Sequence, residues 1–213
     1  MNGTSVDLAL VLDSSGSLDY SGWAQLVTFC INLIERLTIG PSDTQIAVIV
    51  FGDNAAVKFH FGAYQSRNAL ESAIRNITYT GGSTNLNEAL FLLWSDVHAP
   101  NRGSRQDTSR VAVIITDGAD NQNQELTLNN ATICKNSTGI RLIAVGVTDK
   151  IDEPRLRSIA SPGNENYFNV SGYDQLANIT NALGSRIGDC VTLQEPIGTT
   201  TTTIPVTTGK YET

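Results

Sequence analysis

The stretch LVLDSSGSLDY, residues 10–20, begins as a buried strand and ends in a knot of hydroxyls and carboxylates. Asp13, Ser14, Ser15, Ser17 and Asp19 crowd directly behind an apolar run. Three chemistries account for such a turn: a nucleophile, a phosphate cradle, or a metal site. Which one applies depends on what else the chain brings to the end of that strand.

Three further segments share the character of the run that opens this one. Residues 6–12, 45–51, 110–116 and 141–147 are short, β-branched and nearly continuous in apolar residues. That pattern belongs to strands covered on both faces, as in a parallel sheet between helical layers. Residues 56–62 alternate instead and follow the turn FGDNA, so they read as an antiparallel edge strand. A short last strand is expected over residues 166–170.

Helical signals lie between the strands. Trp23, Leu26, Val27, Cys30, Ile31, Ile34 and Leu37 recur at helical spacing before Gly40 and Pro41. Ser66 caps a helix running to Arg75, and Asn85 caps one running to Val97. Residues 125–137 fit a helix with Gly139 beyond its end. Asp152 and Pro154 start a short helix through Ala160, and Tyr173 to Gly188 reads as the last. The order β-α-β-β-α-α-β-α-β-α-β-α predicts a doubly wound α/β domain. Its sheet is mostly parallel, with about six strands, one antiparallel edge strand and helices on both faces. The domain is expected over residues 6–190, with residues 1–5 an extension and 191–213 a linker or tail.

In such sheets, ligands bind outside the carboxyl ends of the strands, where strand order reverses. Three loops are expected there: Asp13–Ser17 after the first strand, Asp117 in TDGADN after the fourth, and Thr84 in TGGSTNLNEAL at a helix start. Asp13, Ser15, Ser17, Thr84 and Asp117 offer oxygen only, the donor type of a hard cation such as Mg²⁺. Alternate residues 13, 15 and 17 point one way around a turn that Gly16 permits, while Ser14 points elsewhere. Two carboxylates roughly balance a divalent ion. Hydroxyls leave it electrophilic, open to an acidic side chain from another molecule.

Asp-x-Ser-x-Ser, a Thr after a Gly pair, and TDG, in that order, resemble the von Willebrand factor A domain family (integrin I-domain-like). The likeness runs from about Val6 to Cys190 through VDLALVLDSSGS, QIAVIVFGD, TGGSTNLNEAL, VAVIITDGADN and LIAVGV. It implies a Rossmann-like fold and a metal-ion-dependent adhesion site (MIDAS). In that site Ser15, Ser17 and Thr84 touch the metal directly, and Asp13 and Asp117 often act through water. The implied cofactor is a divalent cation, Mg²⁺ first, with Mn²⁺ and Ca²⁺ as substitutes. The implied partner is an extracellular matrix protein such as collagen, bound through an acidic side chain. Some members also move the last helix, here 173–188, when ligand binds.

Other classes lack their parts. Gly-x-Ser-x-Gly and the phosphate-binding Gly-x-x-x-x-Gly-Lys-Ser/Thr are both absent. His60, in the edge strand, and His98, in a polar loop, both sit away from the expected ligand edge, so no enzyme is expected. Net charge is −7 without a Lys/Arg cluster, which argues against nucleic acid. No apolar run is long enough to span a membrane. Taken singly, Asp13, Ser17 and Asp117 are also ordinary turn residues. Asp19 and Asp120 read as solvated acids, and Trp23 and Trp94 as packing residues.

Compartment is read from sequons. Asn2, Asn76, Asn130, Asn136, Asn169 and Asn178 make six, against about three expected by chance from 18 Asn and 40 Ser plus Thr. The tail GTTTTTIPVTTG, residues 198–209, has the composition of an O-glycosylated stalk. Both favour a secreted glycoprotein, and the family resemblance implies one of the extracellular matrix. MNGTSVD carries no signal peptide, and a fragment of a longer chain is expected. Cys30, Cys134 and Cys190 make an odd count, so one thiol is free or pairs outside the chain. Cys30 falls on a buried helical stripe. Cys190, past the last helix, is the candidate for a disulfide or self-association. A structural assembly module, its metal site unused, is the rival to adhesion.

Overall fold

The computed structural model describes residues 5–118, 123–148 and 151–189. Asn2, Asp120, Cys190 and the Thr-rich segment lie outside the described residues. Six strands form one sheet: β1 (Val6–Asp13), β2 (Thr44–Phe51), β3 (Ala55–Phe59), β4 (Ser109–Thr116), β5 (Arg141–Val147) and β6 (Tyr167–Val170). Their spatial order is β3-β2-β1-β4-β5-β6, and only the β2–β3 pair is antiparallel. The helices are α1 (Tyr20–Ile34), α2 (Arg67–Arg75), α3 (Leu86–Leu92), α4 (Gln124–Asn136), α5 (Glu153–Ile159) and α6 (Leu176–Asp189). A π-helical turn, Leu93–Val97, extends α3, and a 3₁₀ turn, Tyr173–Gln175, precedes α6. The expected doubly wound α/β architecture and element order are both observed.

Alternation along each strand builds two cores. Leu8, Leu10, Leu12, Val48, Val113 and Val145 face α1 and α6. Ala9, Val11, Ala47, Ile49, Ala112 and Ile114 face the layer of α3, α4 and α5. Ala47, Ala9 and Ala112 stand in register on neighbouring strands, so the second face has a row of small residues across its middle. β1 is buried along its whole length, which is why its sequence reads apolar without alternation.

Details differ from expectation. α1 ends at Ile34, and Leu37 packs into the core from a turn. β3 ends at Phe59, so His60 lies past the strand and pairs with Asp96 at 3.3 Å. His98 lies in the turn after Val97, as expected for a loop residue, but it is buried against Phe61, and burial pushes its pKa down to about 3. Cys30 and Cys134 are both buried and free, and burial pushes both thiols up to about 12. They stay protonated in this fold. No helix among the described residues is long and apolar enough to cross a membrane.

Of the glycosylation candidates, Asn76, Asn136, Asn169 and Asn178 are exposed. Asn130 is a correction. It is buried inside α4, where its Oδ1 accepts from Trp94 Nε1 at 3.0 Å and its Nδ2 donates to Asn87 Oδ1 at 2.9 Å. A sequon is read from three letters, but that amide is used between α3 and α4.

Candidate metal centre

Chain order runs outward from β1 to β2 and β3, then returns to β4 on the other side of β1. The reversal therefore falls between β1 and β4, whose carboxyl ends carry Asp13 and Asp117. The Gly pair closes the site from a third side. Gly81 and Gly82 have φ of +71° and +92°, the left-handed region that glycine enters without strain. Gly16 N donates to Gly82 O at 2.7 Å, tying this turn to the β1 loop. A Cβ on Gly16 would lie 3.1 Å from that same carbonyl.

Four of the five expected donors meet directly or through one another. Ser15 and Ser17 hydroxyls are 2.9 Å apart, and Ser17 Oγ donates to Asp117 Oδ1 at 2.5 Å. Asp13 Oδ1 accepts from Ser15 N at 2.8 Å, and Asp13 Oδ2 accepts from Thr116 Oγ1 at 2.5 Å. Thr84 arrives from the Gly-rich turn: a Cβ on Gly118 would lie 3.5 Å from Thr84 Oγ1 and 3.8 Å from Ser17 Oγ. Ser14 points away, as expected, and its Oγ accepts from Thr80 N at 2.9 Å.

Asp13 is fully buried, and no basic side chain pairs with it among the described residues. Burial dominates its ionisation and pushes its pKa up to about 6 against hydrogen bonds from Thr116 and Ser15; Asp117 adds like charge. A buried carboxylate facing a second one is a group that a cation would satisfy. No cluster of three or more His, Cys, Asp or Glu that could hold a metal occurs among the described residues. A site here thus depends on hydroxyls. Two carboxylates and three hydroxyls fit a hard divalent ion that keeps one or more positions for water or an outside ligand.

Several supporting residues were not visible in the sequence. Tyr79 O–H lies 3.1 Å from Ser15 O and also bonds Leu18 O, clamping both ends of the hydroxyl loop. Thr148, a β-branched residue at φ +77°, donates its hydroxyl to Asp117 O at 3.2 Å. Backbone in that region costs about 1–3 kcal/mol and persists where its surroundings over-determine it. Asp53 Oδ1 accepts from Ser83 N at 2.7 Å and holds the turn that carries Thr84. Asp19 is more than a solvated acid: it caps α1 by accepting from Gly22 N at 2.7 Å. Tyr173 reaches in from the last helical segment. Its phenol pKa is raised by burial first, then by Asp117 and Asp13.

The clamp gives a direct test. Tyr79→Phe removes one hydroxyl that two loop carbonyls use. Its expected cost is about 1–2 kcal/mol in thermal melts. If the site holds a divalent cation, a loss of about tenfold in cation affinity should accompany it, since groups that orient ligands carry that much. Trp23 lies 6.2 Å from the Tyr79 ring, so tryptophan fluorescence can follow the titration.

Comparison with known proteins agrees with this geometry. Residues 7–182 match the family described as the von Willebrand factor type A domain. The chain is 28% identical over 193 residues to the collagen alpha-1(XII) chain of Notophthalmus viridescens, covering 90% of this chain and 20% of that one. It is 31% identical over 179 residues to matrilin-3 of Homo sapiens, covering 82% and 36%. Among solved structures, proximal thread matrix protein 1 from the mussel byssus, with a zinc-occupied MIDAS motif, aligns with a TM-score of 0.78 at 25% identity. That alignment covers 88% of this chain and 46% of the mussel one. The chain thus spans between a fifth and just under half of the length of these relatives.

Proposed function

Because the chain belongs to the von Willebrand factor type A domain family, we propose that it is an extracellular adhesion module working through a divalent cation. Asp13, Ser15, Ser17, Thr84 and Asp117 hold the ion, Mg²⁺ by preference. Its open position takes an acidic side chain of a matrix protein such as collagen. The module binds and releases its partner without chemical change. It works in a secreted glycoprotein, for which Asn76, Asn136, Asn169 and Asn178 are accessible acceptor sites.

One observation carries this reading: Asp13 is buried without a basic partner, next to Asp117 and three hydroxyls. The chain's own positive charges do not answer that anion, and a dication does. With two carboxylates the ion's charge is only just balanced. Its hydroxyl ligands donate weakly, so it keeps affinity for one more anionic oxygen. The chain as a whole carries a net charge of −7, so attraction to an acidic partner acts locally, at the ion, and not by long-range steering.

The test is adhesion to immobilised matrix proteins in Mg²⁺ and in EDTA, for wild type and Asp117→Ala. Binding should appear in Mg²⁺ and fall at least about 100-fold in EDTA and in the variant, the upper end of losses seen when even outer-shell partners of a metal are removed. Binding that persists in EDTA overturns the cation mechanism and leaves assembly through another face.

A further inference from the structure

At the opposite pole, the amino ends of β4 and β5 frame a cavity of about 510 Å³. β1 spans eight residues, so the two poles are about 25 Å apart. Arg110 and Arg141 both line it, with Thr138, Ser161, Glu165 and Asn166.

Both arginines are half-buried and oriented. Arg110 Nη1 donates to Thr138 O at 3.0 Å. Arg141 Nε donates to Asn166 Oδ1 at 2.7 Å, and Asn166 is itself buried and fixed by donating to Pro162 O at 2.6 Å. Arg110 forms no ion pair among the described residues. That is unexpected in a chain with 21 acidic and 14 basic residues. A guanidinium stays charged and carries five donors, so one bond to a carbonyl leaves most of its fork to spare.

We propose that this cleft binds an acidic saccharide, a sugar ring bearing a carboxylate or sulfate, with Arg110 as its anchor. The anion takes the guanidinium fork in the two-bond geometry that Arg favours. The cavity lies in the size range of small-ligand sites, where a lone peptide carboxylate would fill one corner. The Ser161 hydroxyl accepts from Leu142 N at 3.0 Å and keeps its proton to donate to a sugar oxygen. Glu165 folds toward Gly163, where an added Cβ would meet its carboxylate. It can accept from sugar hydroxyls, and its charge sets the cleft against densely charged polymers. Two cations and one anion select a ring with one charge.

The full 213-residue chain is titrated by nuclear magnetic resonance with four probes. They are a uronic-acid disaccharide, its O-sulfated form, an uncharged disaccharide of equal size, and tetra-aspartate. Either charged disaccharide should shift the amides of Arg110, Thr138 and Arg141; which of them binds tighter identifies the anion. Arg110→Gln should weaken binding at least about tenfold, the worth of one charge-assisted hydrogen bond. Arg110→Lys keeps the charge without the fork and should fall between; it decides the matter if the Gln variant fails to fold. EDTA and Asp117→Ala should change nothing, which separates this site from the cation site. Shifts that map elsewhere, equal binding of the uncharged sugar, preference for tetra-aspartate, or full binding by Arg110→Gln would each overturn the proposal, as would no binding at about 10 mM, beyond useful affinity.

Discussion

Asp13→Asn is expected to raise the melting temperature of the cation-free protein and to abolish the response to Mg²⁺ that the proposed site predicts. The Asp13 carboxyl moves from its ordinary 3.8 to about 6 on folding, chiefly because burial disfavours the charged form. A carboxyl raised this far favours the fold fully below pH 4. That contribution is lost as pH climbs through 6, because the native state then releases a proton the unfolded state gave up earlier. At pH 7 the ionised group costs the fold about 3 kcal/mol at most. Asn keeps the acceptor for Ser15 N and cannot ionise. Thr116 Oγ1, now facing an amide, can turn to Gly118 O, which lies 3.3 Å away. The expected gain is about 1–3 kcal/mol at pH 7, or about 3–10 °C for a domain of this size.

The comparison carries its own control. The gap between wild type and Asp13→Asn should close as pH falls from 7 to 4, where wild-type Asp13 is protonated too. Adding Mg²⁺ at pH 7 should reverse the order: wild type gains RT ln(1 + [Mg²⁺]/Kd), and the variant, short of one carboxylate, gains little. Calorimetric melts over that pH range, with and without Mg²⁺, measure all of this. A variant less stable than wild type in EDTA at pH 7 would show that the site is not built around an unneutralised anion. Instability held at a functional site is the form a recruitment site takes: what destabilises the empty domain favours the loaded one.

The parts of this fold legible in sequence are those set by local chemistry. β1 reads as a buried strand because all eight of its side chains are buried. Ser66, Asn85 and Asp152 read as helix caps because each accepts from a backbone N–H three residues on. The donors of the candidate site were legible because each sits at the end of a strand, in the turn that follows it, or just after the glycine pair. What stayed hidden depends on residues far apart in the chain. Tyr79 meets Ser15 across 64 positions, and Asn130 meets Asn87 across 43. Neither partner carries a local mark, so the sequence does not single out Tyr79, and Asn130 reads in it only as a glycosylation candidate. Asp7 was hidden in the same way: inside VDLALVL it looks like an interruption of an apolar strand.

Arg105→Ala is expected to cost about 3–5 kcal/mol, the loss of a partner from a buried ion pair. Asp7 is fully buried at the amino end of β1, and Arg105 meets it from 98 positions away. Arg105 Nε donates to Asp7 Oδ1 at 2.8 Å, and Arg105 N donates to Oδ2 at 2.7 Å. The same guanidinium donates to Pro41 O, Val6 O and Asp43 O, joining the starts of β1 and β2 to the loop before β4. Truncation leaves the carboxylate buried with only a backbone donor. Melting should fall by about 10 °C or more. Asp7→Asn in the Arg105→Ala background removes the stranded charge, so the double variant should be more stable than the sum of the single losses predicts. A drop below about 1 kcal/mol in Arg105→Ala would place this pair among ordinary surface contacts. Asp7 lies six residues from Asp13 along a strand, about 20 Å, so the Mg²⁺-induced rise in melting temperature should survive in both variants. Rigidity at this pole and cation capture at the other then separate in one set of melts. Asp13→Asn trades the cation response for stability, while Arg105→Ala gives up stability and keeps the response.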